Sequence, residues 1–337
     1  MSANLSRSTP AGRLNLPRNV WVVTATSFLN DLSSEMLTTL LPLFLANVLG
    51  ARTSVVGLIE GLAETTASLL KIFSGWLSDW LGQRKRLTVA GYAVSTLAKG
   101  LLFFANAWGW VLASRFADKV GKGVRTAPRD ALIADSIAPA QRGLAFGLHR
   151  AGDTAGAVGG LLAALAVVWF TEQNATVLTR PTFQLLAVLS LIPAGLAVLV
   201  LALGARETAL PKDKRAAPRF TLAPFDGRFK HFLVVILVFT LGNSSDAFLV
   251  LRAQAAGLPL TGVLGMMITF NVLYAALAGP AGALSDRVGR RRLLLAGWLV
   301  YALVYLGFAQ ASAGWQAWAL MAVYGVYYAA TEGVAKA

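Results

Sequence analysis

Apolar and polar positions alternate along this chain in long blocks rather than residue by residue. Runs of about 20 apolar residues, the length a helix needs to cross a hydrocarbon core, recur from Val20 to Val334 between short polar stretches. The pattern predicts ten membrane-spanning helices, at 20–48, 55–77, 87–105, 108–128, 143–169, 182–203, 231–252, 261–284, 293–310 and 315–334. Hydropathy alone would reject the fourth, which carries Arg115, Asp118, Lys119, Lys122 and Arg125. With Arg129, those charges recur every three or four residues and form one stripe on a helix. Lipid would not tolerate such a stripe, so the expectation is a real span with its charged face turned to a watery cavity.

Composition agrees with this picture. The 337 residues are 56% hydrophobic and 14% charged, with a mean hydropathy of +0.61. A soluble domain carries about 25% charged residues, so the chain lacks the polar surface to cover itself in water. Its class is therefore all-α integral membrane. With no cysteine and two histidines, His149 and His231, disulfides are excluded and a Cys/His metal site is not expected. Neither a nucleophile motif nor metal-ligand spacing appears, so neither an enzyme nor a cofactor is expected. The first 18 residues show no cleavable signal pattern.

The net charge of +14 would suit nucleic acid, but the basic residues cluster in short connections between apolar runs, the signature of membrane insertion. Arg7, Arg13 and Arg18 precede the first run, and Arg84, Lys85 and Arg86 follow the second. Arg125, Arg129, Arg142, Arg206, Lys212, Lys214, Arg215, Arg219, Arg228, Lys230 and Arg287 to Arg292 continue the series. The opposite connections hold Arg52, Arg180 and Arg252. This asymmetry predicts a multi-pass protein of the cell (inner) membrane with a cytoplasmic N-terminus. Trp108, Trp110, Trp169 and Trp315 fall near the predicted interfaces, as belt aromatics do.

The chain is repeated. Gly75-Trp-Leu-Ser-Asp79-Trp-Leu-Gly82-Gln-Arg84-Lys85 returns as Gly282-Ala-Leu-Ser-Asp286-Arg-Val-Gly289-Arg290-Arg291, with the aspartates 207 residues apart. Ser33-Ser34-Glu35 in the first span returns as Ser244-Ser245-Asp246 in the seventh, 211 residues on. The apolar tenth span corresponds to the charged fourth. The domain reading is a cytoplasmic N-terminus (1–19), a six-helix bundle (20–203), a basic cytoplasmic linker (204–230) and four helices of a second bundle (231–337). Two helices demanded by symmetry are absent, so about 10 of 12 are expected here and a truncated chain is the expectation.

The repeated stretch resembles the signature loop between helices 2 and 3 of the major facilitator superfamily, Gly-x-Leu-x-Asp-x-x-Gly-x-Arg-Lys-x-Leu. Gly75, Leu77, Asp79, Gly82, Arg84 and Lys85 fill those places, as do Gly282, Leu284, Asp286, Gly289 and Arg290 or Arg291 in the second half. The resemblance covers the chain from about Val20 onward. It implies a two-bundle transporter with substrate bound between the halves near mid-membrane. Arg115 with Gly121-Lys122-Gly123 is similar to a fourth-helix motif whose arginine the family links to proton coupling. The run Arg125 to Asp135 looks like a prokaryotic subgroup. Gly152-x-x-x-Gly156-Ala-Val-Gly159-Gly160 resembles an antiporter motif of helix 5, with Ala157 in place of the expected proline. Gly75, Asp79, Gly82, Arg84, Asp286, Gly289 and Arg290 would form a conformational latch, with Asp79 bracing against a helix 11 that this chain lacks.

Acids inside spans are costly unless paired or hydrated. Asp31 and Glu35 lie four apart on one face of span 1, and Glu60, Glu64 and Lys71 share a face of span 2. At ~1.5 Å per residue, Asp31 and Glu64 fall ~16–18 Å from their membrane faces, near mid-depth. Clustered carboxylates in a low dielectric favour holding a proton. Asp31 and Glu35, then Glu64, with Arg115 as their neighbour, are the proton-coupling candidates. Glu60, Lys99, Lys119, Arg150, Asp153 and Asp246 are the cavity candidates, and the same acids read equally as static partners of the span cations. The functional expectation is a monomeric secondary transporter moving a small solute by alternating access, coupled to protons and running as an efflux antiporter. The alternatives are a symporter or facilitator, including one for an anion drawn by Arg115, Lys119 and Lys122, and a non-transporting membrane protein.

Overall fold

A computed structural model describes residues 16–172, 177–208 and 225–335 of the chain. The expectations for Arg7, Arg13, Lys212, Lys214, Arg215 and Arg219 lie outside the described residues. All ten predicted spans are helical, the seventh as two helices. They are α1 (Arg18–Thr38), α2 (Thr53–Leu81), α3 (Arg84–Leu101), α4 (Trp108–Asp135), α5 (Arg142–Glu172) and α6 (Arg180–Gly204) in the first half. The second half holds α7 (Gly227–Leu241), α8 (Asp246–Ala255), α9 (Leu260–Val288), α10 (Arg290–Gln310) and α11 (Gly314–Ala335). Among the described residues, six stretches are long and apolar enough to cross a membrane on length and composition alone: those of α3, α5, α6, α9 and α10, and α7 with α8 taken together.

The structure corrects several sequence boundaries for one reason: the helices run on past their apolar cores. Helix α2 extends to Leu81, and α3 begins at Arg84. Arg84, Lys85 and Arg86, expected in a loop, therefore form the first turn of α3, and Arg290 to Arg292 likewise open α10. Cations at a helix N-terminus oppose its dipole, and a carboxylate offsets this in α3: Glu207, just past α6, accepts from the Lys85 backbone N–H at 3.1 Å. Pro128 does not end α4, which continues to Asp135. The first span breaks after Thr38 and resumes at Leu41–Leu43, with Pro42 in that new first turn, where a missing N–H costs nothing.

The seventh span is also broken, and its sequence explains why. Aligned on Glu35 and Asp246, the positions of Asp31 and Leu32 become Gly242 and Asn243, poor helix formers. Ser245 then caps the new helix, accepting from Ala247 N–H at 3.3 Å. Helix α1 passes its Ser-Ser-Glu unbroken, whereas the second half places Asp246 in the first turn of α8.

In the first half α1 packs on α5 and α6, and α4 packs on α2 and α3; in the second, α11 packs on α9 and α10. Helix α5 meets α9 across the two halves. Contact between α1 and α5 is backbone-close. A Cβ on Gly156 would lie 2.3 Å from the Phe28 carbonyl oxygen and one on Gly160 2.3 Å from that of Leu32, so only glycine fits there. Gly121 and Gly91 similarly face each other between α4 and α3. One apolar core spans both halves at the end away from the basic turns, joining Leu41, Leu43 and Phe44 to Leu249, Val250 and Leu260.

Candidate functional site

Each copy of the repeated stretch closes its helix with the same serine contact and a glycine of positive φ. Ser78 Oγ donates to the Gly75 carbonyl at 2.8 Å, and Ser285 Oγ to that of Gly282 at 2.7 Å. The helices then end on Gly82 (φ +65°) and Gly289 (φ +94°), a backbone region that glycine enters without strain. Asp79 takes Arg84 of its own turn as partner, at 2.9 Å, rather than a second-half helix. Arg84 is 3% exposed; it also donates to the Ala131 carbonyl at 3.0 Å and pairs with Asp135. The connection from α2 to α3 is thus tied to the end of α4. The Asp286 side chain lies outside the described residues.

Lys122 of the α4 stripe is exposed, but the rest of the stripe is wholly or partly buried, contrary to the expectation of a face turned to water. Arg115, Lys119 and Arg125 are each 6% exposed, buried against α2 and α3. Arg115 forms a two-point pair with Glu60, 2.8 Å and 3.2 Å, and Lys119 pairs with Glu64. The four-residue spacing on both helices makes these two rungs of one ladder. Arg125 donates to Ser95 and lies 4.3 Å from the centre of the Tyr92 ring. Protein partners, not water, make the buried part of this face tolerable. The glycines after Arg115 serve the same packing: a Cβ on Gly123 would meet Leu70 at 2.6 Å.

Beside the ladder, Lys99 is buried and donates to Ser33 Oγ at 2.8 Å and to the Asn30 carbonyl at 3.4 Å. Asn30 in turn donates to Asp31 at 3.0 Å. Ser34, Thr38, Lys99, Ser114, Arg115 and Asp118 line a small cavity between α1, α3 and α4. Among the described residues, the ion pairs leave out Asp31, Glu35 and Asp246. All three are half-buried. Glu60, Glu64, Arg115 and Lys119 are brought together, while Asp153 sits on α5 with His149, 3.7 Å away.

Between the halves the sequence reading missed most of the contacts. Arg150 of α5 reaches Glu332 of α11 at 2.8 Å and also bonds the Tyr274 hydroxyl on α9, which itself donates to Glu332. At the opposite end Asn47 donates to Gln254 at 3.1 Å across the same seam. Tyr324 donates to Asp246 at 2.8 Å; Tyr327 stacks on Tyr324, Tyr301 is tilted against it, and Tyr305 and Tyr328 meet it edge-on. The spacing Tyr324, Tyr327, Tyr328 was a visible one-face signal. The partnership of Arg150 with Glu332, 182 residues away, had none. No group of three or more His, Cys, Asp or Glu able to hold a metal occurs among the described residues.

Comparison with known proteins agrees with this architecture. The chain is 33% identical over 340 residues to an uncharacterised MFS-type transporter of Methanocaldococcus jannaschii, covering 99% of this chain and 82% of the relative. It is 25% identical over 314 residues to a multi-drug resistance efflux pump of Streptococcus pneumoniae, covering 89% and 75%. Its fold matches a bacterial homologue of the human lysosomal transporter Spinster in an inward-facing, unoccupied conformation, with a TM-score of 0.63 and 18% identity over 93% of this chain and 73% of that one. The Major Facilitator Superfamily model matches residues 23–335. With its repeated glycine-capped turns and its two helical halves, the chain belongs to the major facilitator superfamily of membrane transporters.

Proposed function

We propose that this chain is a secondary active transporter that moves a small solute by alternating access, driven by exchange against protons in the direction of efflux. The supporting observation is the contrast between the two ends of the seam. Away from the basic turns, both halves contribute to one buried apolar core. Nearer the basic turns, a polar cluster of Arg150, Tyr274 and Glu332 makes the crossing, with Arg150 52% exposed. An apolar seal at one end and a separable polar contact at the other suits two halves that rock about a central site. By the positive-inside rule the basic end faces the cytoplasm, in the inner membrane, with 20–203 and 231–337 as the rocking units of a monomer.

Proton coupling is assigned to Asp31 and Glu35, which stand outside the ion pairs of the first half, with Glu64 and Arg115 as their charged surroundings. The direction rests on the name borne by the pneumococcal relative, a multi-drug resistance efflux pump. Proteoliposomes provide the test: a panel of neutral, cationic and anionic solutes, with and without an imposed pH gradient. Gradient-dependent movement of at least one solute is expected. A panel that moves no faster than in protein-free liposomes would sink the assignment.

A further inference from the structure

The second half carries a row of aromatic rings with a tyrosine-bound carboxylate at each end. At the end nearer the basic turns, the Tyr274 hydroxyl donates to Glu332. A cation already fills this end: Arg150 lies 2.8 Å from Glu332, its guanidinium 5.4 Å from the Tyr274 ring centre. From there the rings continue inward, Tyr274 to Tyr328 at 6.4 Å and Tyr328 to Tyr324 at 5.1 Å. At the inner end the Tyr324 hydroxyl donates to Asp246 at 2.8 Å, and Tyr305 stands edge-on to Tyr324 at 6.2 Å.

The two ends share one chemistry, a carboxylate held by a tyrosine hydroxyl that belongs to a cluster of aromatic rings. The faces of such rings attract cations through the ring quadrupole, most strongly where water is excluded. The outer end holds a guanidinium. At the inner end, no ion pair among the described residues reaches Asp246. Asp246 opens α8, whose N-terminal dipole favours a negative charge at that place. Tyr324 is 1% exposed and belongs to the core, but Asp246, Tyr305 and Tyr328 keep part of their surface open. The facing half does not repel a cation from its ladder, because Arg115 and Lys119 are each matched by a glutamate.

We propose that Asp246, Tyr305, Tyr324 and Tyr328 form a recognition site for a monovalent organic cation, a substituted ammonium or guanidinium, which takes at the inner carboxylate the place Arg150 takes at the outer one. This deepens the transport reading and rests on it for the cation being carried, though not for its being bound.

Benzyltrimethylammonium, whose charge is permanent, is the probe, and titration calorimetry of the whole chain in detergent is the measurement. Wild-type protein is expected to bind it and to ignore benzoate. Asp246→Asn removes the binding. Tyr328→Phe keeps the ring and the affinity, whereas Tyr328→Leu weakens binding about tenfold. Monodisperse elution reports folding, and if Asp246→Asn does not fold, the two Tyr328 variants decide. No binding by wild-type protein, equal binding of benzoate, or affinity indifferent to the loss of the Tyr328 ring overturns the assignment. Solute transport without cation binding removes this site and leaves the transporter. Asp246-dependent binding without transport of any solute keeps the site and removes the transporter.

Discussion

Arg150 Nη2 lies 2.8 Å from Glu332 Oε2, an ion pair that joins a helix of the first half to a helix of the second. Half-exposed pairs contribute little to stability, about 0–1 kcal/mol, but even ~1 kcal/mol shifts a two-state equilibrium about fivefold, and reversing one charge adds repulsion to the lost attraction. Arg150→Glu is therefore expected to leave the melting temperature nearly unchanged while slowing gradient-driven transport severely. Adding Glu332→Arg should restore part of the rate. A double variant as slow as the single would mean that the pair does not act as a contact between moving halves.

Asp31 and Glu35 lie on one face of α1, half-buried and outside the ion pairs among the described residues. If they carry the coupled proton, Asp31→Asn and Glu35→Gln abolish accumulation driven by a pH gradient while solute exchange at equal pH continues. Uptake and counterflow in the same proteoliposomes separate the two. Unchanged gradient-driven uptake in both variants would remove these residues from the coupling step.

Gly156 touches the backbone of α1, and a Cβ there would lie 2.3 Å from the Phe28 carbonyl oxygen. Gly156→Val is expected to cost the fold about 1–3 kcal/mol or more, as overpacking does, and to lower the yield of monodisperse protein. Gly147 on the same helix has nothing within 4 Å of its Cβ position. Gly147→Ala should therefore behave as wild type, and equal damage from both would show that α5 does not pack as described.

Arg84 is buried between Asp79 and Asp135 and so binds the turn after α2 to the end of α4. Removing one partner of a buried pair costs about 3–5 kcal/mol. The partial exposure of Asp79, 33%, places Arg84→Ala toward the lower end of that range. Thermal unfolding in detergent measures it. A melting temperature within a degree of wild type would show that the turn is not tied down this way.

The helices and the repeat were legible in the sequence because they are local or copied. Apolar runs mark the spans, basic residues mark one side, and Gly82 and Gly289 mark the turns. The break in the seventh span was written in Gly242, Asn243 and Ser245, but hydropathy averages over such a short interruption. The α4 stripe is legible as a helix face, and Lys122 is exposed as that face predicts, but Arg115, Lys119 and Arg125 are buried against protein. Its neutralising partners, Glu60 and Glu64, lie 55 residues upstream on α2, and only the packing of α2 on α4 brings them there. The contacts between the halves were the least legible. Arg150, Tyr274 and Glu332 come from three helices, and no spacing in the chain signals that they meet.

Alternating access requires the two ends of the seam to open in turn, and distances between spin labels report that directly. The chain has no cysteine, so introduced ones label without background. One pair, Leu144→Cys with Val288→Cys, lies at exposed positions on the basic side; the other, Ser54→Cys with Ser312→Cys, lies at exposed positions on the opposite side. Moving purified protein in nanodiscs between acidic and alkaline pH should lengthen one distance and shorten the other. Distances that stay fixed, or that change in the same direction at both ends, would contradict the account.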